Sequence, residues 1–303
     1  MEDKSIGNHK YNSIINKSNL TDTEKRQIKN YETDRGLSPE QKSRVAEYFL
    51  NLDKGKLKMP DKANVNLSVL YKQFLPFYKQ VEGEEFNPKL NGGESKLLVF
   101  TLLSYFFKHP KFYDSPLVNS EITKPDLKKG LLMIGPSGNS KTTVMIAIKK
   151  MVDSACGNDL GYTLNENNKR VPLKYYYPSF SFETTQSVVQ RMDDIKKDKT
   201  EKESLFFSRY KKGTHYLDDL MKEGFSKMFG QTNVVGEIIR YVYDNNSRLI
   251  ASINPIGDTS ETLLALGEHY AIKKEYNHQD AYVYDRLFQM FNIIELKGTS
   301  LRK

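Results

Sequence analysis

The feature that most restricts the fold is residues 130–150, GLLMIGPSGNSKTTVMIAIKK. A short continuous apolar run, GLLMI, has the signature of a strand buried on both faces of a parallel sheet. KTTVMIAIKKM carries apolar residues at helical spacing. Between them lies a loop of small residues. The order strand, glycine-containing loop, helix matches the pattern GxxxxGK[ST] at Gly135, Lys141 and Thr142. Ser140 stands where the second glycine of that pattern belongs, and Gly138 lies two residues before it.

Such a loop does one kind of chemistry. Glycines let successive backbone N–H groups turn inward around a phosphate, and the start of the following helix adds a favourable dipole. Gly135, Pro136, Ser137, Gly138, Asn139, Ser140, Lys141, Thr142 and Thr143 are therefore expected to surround the phosphates of ATP. Lys141 would reach the terminal phosphates, and the Thr142 hydroxyl would ligate Mg²⁺. Serine at 140 adds one Cβ and a hydroxyl that is able to donate to a phosphate oxygen. A conformational cost of about 1–2 kcal/mol there would weaken ATP binding roughly 5- to 30-fold without abolishing it.

Beyond the loop the chain alternates. LKYYYPSFSF reads as a strand region, ETTQSVVQRMDDIKK as a helix, THYLDDL as a strand ending in acids, NVVGEIIRYVYDNN as a helix and RLIASIN as a strand. This alternation predicts a mostly parallel α/β sheet with helices on both faces. Asp218 and Asp219 fall at a strand end about 75 residues after the loop. In a nucleotide-hydrolysing site Asp218 would hold Mg²⁺, and Asp219 would orient or deprotonate the attacking water. Asn254 ends the next apolar strand, where an amide would hold that water or simply start the turn before Pro255.

With these residues in place, the segments GLLMIGPSGNSKTT, HYLDDLMKEGFSKMFG, LIASIN and YVYDRLFQMFNIIELKG resemble the AAA+ ATPases of the DnaC-type bacterial replicative helicase loaders. The resemblance covers roughly residues 98–303. Asp218, Asp219, Leu220 and Glu223 match the family's DDLGxE segment, with Met221 in place of its glycine, and Phe229-Gly230 matches a later FG. Asn254 falls at its sensor position. Arg286 matches the second arginine of its C-terminal segment, and Tyr282 takes the place of the first. The resemblance implies a P-loop AAA+ fold and a homo-oligomer with sites between subunits. It also implies partners in a replicative helicase and single-stranded DNA, with the N-terminal extension contacting the helicase. Arg286 is its candidate for a finger reaching a neighbour's nucleotide or for a sensor in its own subunit; a surface arginine paired with Asp285 or Glu295 is the plainer alternative. Ser140 and Tyr282 together allow slow hydrolysis, or binding without turnover. Two other readings share this core: a transposition helper of the IstB kind, partnering a transposase, and an adaptor that senses ATP and barely hydrolyses it.

The rest of the chain adds organisation and charge. Residues 20–55 read as two short charged helices, with Ser38 and Pro39 starting the second. NLSVLYKQFLPFYKQV has helical spacing, broken by Pro76, and an apolar helix follows Gly92-Gly93 and ends near His109-Pro110. The expected division is a helical partner-binding region over 1–93 and the ATPase domain over 94–303. A chain of 303 residues with 28% charged and 38% hydrophobic residues suits a globular protein with a real core. One cysteine, Cys156, excludes an internal disulfide framework, and the histidines show no zinc-site spacing. With neither a signal-like N-terminus nor a long apolar run, a cytoplasmic protein without a membrane span is expected.

The net charge of +8 makes polyanions plausible partners. Residues 195–213, IKKDKTEKESLFFSRYKKG, carry seven Lys/Arg against three acids. The segment is a DNA contact or a solvated helix face. The aromatics of YYYPSFSF suit base stacking or, more commonly, a core.

Overall fold

The computed structural model describes residues 21, 25, 64–157, 161–176, 178–198, 203–223, 233–270 and 281–298. The expected charged helices of residues 20–55, the Phe229-Gly230 pair and the side chains of Cys156 and Tyr282 lie outside the described residues. The chain divides into two compact units, Met1–Lys62 and Ala63–Lys303. The second unit holds the sheet and its flanking helices.

Two helices precede the sheet. Helix α1, Leu67–Glu82, starts on Asn66, whose side chain accepts from the N–H groups of Ser68 and Val69, and stops at Gly83 with φ +82°. It runs through Pro76 rather than breaking there. Proline removes one intrahelical bond and costs about 3 kcal/mol. Burial of Leu67, Leu70, Phe74 and Tyr78 along one stripe offsets that cost. Helix α2, Glu94–Phe106, begins after Gly92 and Gly93, both at positive φ, and is buried on most of its surface. Because α1 packs on the helix after the phosphate loop, residues 64–93 belong with the core, and the unit begins well before the expected boundary at Gly93.

The remaining elements are β1 (Gly130–Ile134), α3 (Lys141–Gly157), a hairpin of β2 (Tyr162–Leu164) and β3 (Arg170–Pro172), and β4 (Ser181–Thr184). Then come α4 (Thr185–Asp198), α5 (Glu203–Ser208), β5 (Thr214–Asp218), α6 (Val234–Asp244), β6 (Arg248–Ile253), α7 (Thr259–Tyr270), α8 (Ala281–Met290) and β7 (Phe291–Glu295). Five strands form one sheet in the order β4-β5-β6-β1-β7, every pair parallel. The expected α/β class and parallel sheet are therefore present. The strand region foreseen around YYYPSFSF is shorter than its apolar content suggested. Leu173–Tyr176 form a 3₁₀ turn, and only Ser181–Thr184 join the sheet. Pro178 lies between them without an N–H to offer a ladder.

Alternation along each strand sorts side chains into two cores. Leu131, Met133, Tyr216, Ile250 and Ile294 face the layer containing α1, α2 and α3. Leu132, Ile134, Leu217, Leu249, Ala251 and Ile293 face the layer containing α4, α6, α7 and α8. A strand buried on both faces must be apolar at every position, which is why GLLMI has no polar residue. Tyr176 and Phe180 are buried, and Phe180 stacks on Phe106 with ring centroids 4.9 Å apart, so these aromatics serve the core.

Gly130 fixes how closely β1 and β6 meet. A Cβ there would lie 1.7 Å from the backbone oxygen of Leu249. Gly130→Ala is expected to cost about 3 kcal/mol or more, because the obstructing atom is main chain and has no rotamer to change. Urea unfolding of the variant against the wild type measures it.

Candidate functional site

The loop between β1 and α3 is anchored at its first residue. The Gly135 N–H donates to the Ile253 carbonyl at 3.2 Å, which fixes the end of β1 against the end of β6. Gly135 itself is enclosed: a Cβ would lie 2.5 Å from Asn139 Nδ2 and 2.7 Å from Leu296 Cβ. Gly138 has φ +80° and Ser140 φ +68°. The position where the pattern expects glycine thus does need left-handed backbone, and serine occupies it. Ser140 then starts α3, its carbonyl accepting from the Val144 N–H at 2.9 Å.

The rest of the loop folds around Lys141, which is only 5% exposed. Its ammonium donates to the carbonyls of Gly135 at 2.5 Å and Pro136 at 3.0 Å, and to Asn139 Oδ1 at 3.1 Å. Buried cations need such partners, and here the loop's own oxygens supply them. Asn139 is buried, with its Nδ2 unpartnered in the structure, so the loop retains a donor to offer a ligand oxygen. Ser137 is exposed at the tip, whereas Pro136, Gly138, Thr142 and Thr143 are half-buried.

Loop and acids meet directly. Thr142 Oγ1 donates to Asp218 Oδ2 at 2.8 Å. The other oxygen of Asp218 accepts from Tyr216 Oη at 2.6 Å and Ser252 Oγ at 2.5 Å. Asp218 is 3% exposed, and three hydroxyls, from α3, β5 and β6, compensate its burial. Burial first, and then the adjacent Asp218 carboxylate, push the Tyr216 phenol well above its ordinary range, so Tyr216 is a fixed donor. A threonine hydroxyl and a buried aspartate at this spacing are a fitting pair of oxygen ligands for Mg²⁺ beside a phosphate.

Asp219 is a different acid. Its side chain is 42% exposed and pairs with Lys222 at 3.1 Å. Its backbone, at φ +61°, is held by Ser252 Oγ, which accepts from its N–H at 3.0 Å, and by Thr185 Oγ1, which donates to its carbonyl at 2.8 Å. A solvated carboxylate on a fixed main chain suits a group that handles water. Asn254 is half-buried and follows the residue whose carbonyl holds Gly135. Since β6 lies between β1 and β5, Asn254 emerges between the phosphate loop and the acids.

Arg286 is not brought to the loop. Its side chain is 11% exposed, lies 3.6 Å from Asp244 Oδ1 and stacks over the Tyr243 ring at 4.3 Å. Asp244 ends α6 just before β6 begins, so this cluster sits at the edge where strands start, opposite the phosphate loop. The carboxylate of Asp244 is thus a neighbour that sequence spacing did not suggest. Lys197, Arg209, Lys211 and Lys212 are exposed, and Lys211 and Lys212 lead into β5 at that same edge.

Sequence reasoning missed Tyr216, Ser252 and Thr185. Two of them left a signal: Tyr216 is two residues before Asp218 and so on its face of the strand, and Ser252 is a hydroxyl inside an otherwise apolar buried strand. Thr185 left none, since its role depends on where α4 begins.

No model of a known protein family matches the sequence, and no curated protein is recognisably similar to it. Among solved structures the chain is similar to the DnaC helicase loader, at 18% identity over 73% of this chain and 98% of that one, with a TM-score of 0.44. A putative primosome component from Streptococcus pyogenes serotype M3 is 14% identical over 74% of this chain and 90% of that one, with a TM-score of 0.39. DnaI is 18% identical over 55% and 72%, with a TM-score of 0.36. At identities of 14–18% and TM-scores of 0.36–0.44, these likenesses say nothing of what this chain does.

Ser252 serves both acids, so its loss takes one of three hydroxyl donors from Asp218 and the side-chain acceptor from the Asp219 N–H. Ser252→Ala is expected to destabilise the protein by about 1–3 kcal/mol in chemical denaturation, more than an exposed serine would.

Proposed function

We propose that the protein is an ATP-binding, ATP-hydrolysing P-loop protein of the AAA+ kind that works in DNA replication as a helicase loader on single-stranded DNA. The observation that carries the nucleotide reading is the 2.8 Å bond from Thr142 to Asp218. It unites two motifs 76 residues apart into one constellation, as a triphosphate with Mg²⁺ would require. In this reading the loop N–H groups and Lys141 bind the phosphates, Thr142 and Asp218 hold Mg²⁺, and Asp219 and Asn254 orient the attacking water. Mg²⁺, when bound, neutralises charge on the phosphate oxygens. The left-handed Ser140 keeps ATP affinity below that of a glycine loop.

The loader role rests on the sequence resemblance at Asp218-Asp219-Leu220, Glu223, Asn254 and Arg286. Arg286, at the edge away from its own loop, is in this reading the group offered to a neighbouring copy of a homo-oligomer. The exposed lysines of 195–213 are the contact for single-stranded DNA, and residues 1–93 include the contact for the helicase. Among the described residues no helix is long and apolar enough to cross a membrane.

The two acids separate by experiment. Asp218→Ala is expected to weaken Mg·ATP binding in calorimetry and to abolish turnover. Asp219→Asn is expected to keep binding and lose ~10²-fold or more in rate. Equal, mild effects from both would reduce them to solvated strand-end acids.

For the nucleic acid, Lys197→Glu, Lys211→Glu and Lys212→Glu together are expected to weaken single-strand binding regardless of sequence. The salt slope should flatten by about 0.7 per lost phosphate contact. An unchanged slope assigns these lysines to a solvated face.

A further inference from the structure

Asp219 and Asn254, the two residues assigned to the attacking water, are each followed by a short segment tied to the same helix, α7. Two residues beyond Asn254, the Ile256 N–H donates to Thr262 Oγ1 at 2.8 Å, and that hydroxyl donates in turn to the Asp258 carbonyl at 2.8 Å. Two residues beyond Asp219, the Met221 N–H donates to Tyr270 Oη at 2.9 Å, and that hydroxyl donates in turn to the Glu223 carboxylate. Met221 has φ +66°, a backbone that a residue with a Cβ keeps only where something holds it. Thr262 and Tyr270 are both 0% exposed, so water does not compete for either hydroxyl. Burial first, and then the Glu223 carboxylate, push the Tyr270 phenol above its ordinary range, so it stays a donor.

The helix between these two contacts is fixed along its length. Asp258 and Glu261 cap its start reciprocally: the Glu261 N–H donates to Asp258 Oδ1 at 2.8 Å and the Asp258 N–H to Glu261 Oε2 at 2.9 Å. Near its end Asn233 Nδ2 donates to the His269 carbonyl at 2.9 Å. Leu263 and Leu266 are buried in the core, and α8 approaches so closely that a Cβ on Gly267 would lie 3.0 Å from Tyr284 Cβ. Thr262 and Tyr270 are eight residues apart, which is ~12 Å along the helix axis.

We propose that α7 is a strut that sets the spacing between Asn254 and Asp219, with Thr262 and Tyr270 as the positioning residues at its two ends. Both hydroxyls hold segments beyond the phosphate loop, so they act on turnover and not on affinity. Asn254 and Asp219 must serve one water molecule together. Releasing one end of the strut already spoils their shared geometry, and releasing the second adds little. The role rests on the nucleotide reading of the site.

The test removes one hydroxyl at each end and keeps the shape: Thr262→Val, Tyr270→Phe and the double variant. Tyr270→Phe is also made with Glu223→Gln, because alone it leaves a buried carboxylate without its donor. Hydrogen exchange at the Ile256 and Met221 amides and thermal unfolding are measured without nucleotide, then ATP affinity by calorimetry and turnover at saturating Mg·ATP. Each single variant is expected to speed exchange about 5-fold at its own amide and to lower Tm by about 2–4 °C. Each should also reduce kcat about 10-fold while ATP affinity holds. In the double variant the Tm shifts should add, as for distant sites, whereas kcat should fall little below that of the slower single variant. Thr262→Ser, which keeps the hydroxyl, should retain kcat. Unchanged amide exchange, kcat losses that multiply in the double variant, affinity falling along with kcat, or a Thr262→Ser protein as slow as Thr262→Val each overturn the strut and leave the nucleotide reading standing. A wild-type protein that binds no ATP at millimolar nucleotide overturns that reading and the role built on it, whatever the amides show.

Discussion

A carboxylate buried in a sheet is stable only where donors surround it, and Asp218 is that carboxylate here. Its partners come from three elements: Thr142 opens α3, Tyr216 lies two residues back on β5, and Ser252 sits on β6. All three can reach it only if β6 lies between β1 and β5 in parallel register. The sheet order β4-β5-β6-β1-β7 provides this, and Gly130 permits the close approach of β1 to β6. The site and the strand order therefore depend on one another.

The loops above this edge are held by side chains as much as by their own sequence. Lys141 is gripped by the oxygens of its loop, and Asp219 is fixed at its N–H by Ser252 and at its carbonyl by Thr185. At 221, where glycine would relax the backbone, the chain has methionine, and its N–H is held by the Tyr270 hydroxyl. The acid turn thus owes part of its geometry to helix α7. A change in that helix reaches the turn without touching any motif residue.

The start of α2 and the segment after β7 are also joined at this edge. The Glu94 carboxylate, at the start of α2, accepts from the N–H groups of Lys297 and Gly298 just after β7. Leu296 in turn crowds Gly135, where a Cβ would meet it at 2.7 Å. The segment following the last strand thus helps to close the phosphate loop, and only an unsubstituted glycine fits beneath it.

By itself the sequence determined the parallel α/β class, the strand–loop–helix around Lys141 and Thr142, and the acids at the end of β5. Each of these is written in local periodicity or fixed spacing, which physical chemistry reads without knowing the fold. The sequence also exposed the question at Ser140, because a non-glycine in that loop is visible in one dimension. Tertiary structure decided what one dimension does not encode. It carried α1 through Pro76, because burial of Leu70, Phe74 and Tyr78 outweighs one lost helical bond. It placed Arg286 with Tyr243 and Asp244, away from its own loop, since the edge on which a helix residue falls depends on strand order. It recruited Ser252, Thr185 and Tyr270 to the site from distant segments, because a hydrogen bond needs proximity of about 3 Å and sequence separation says nothing about that.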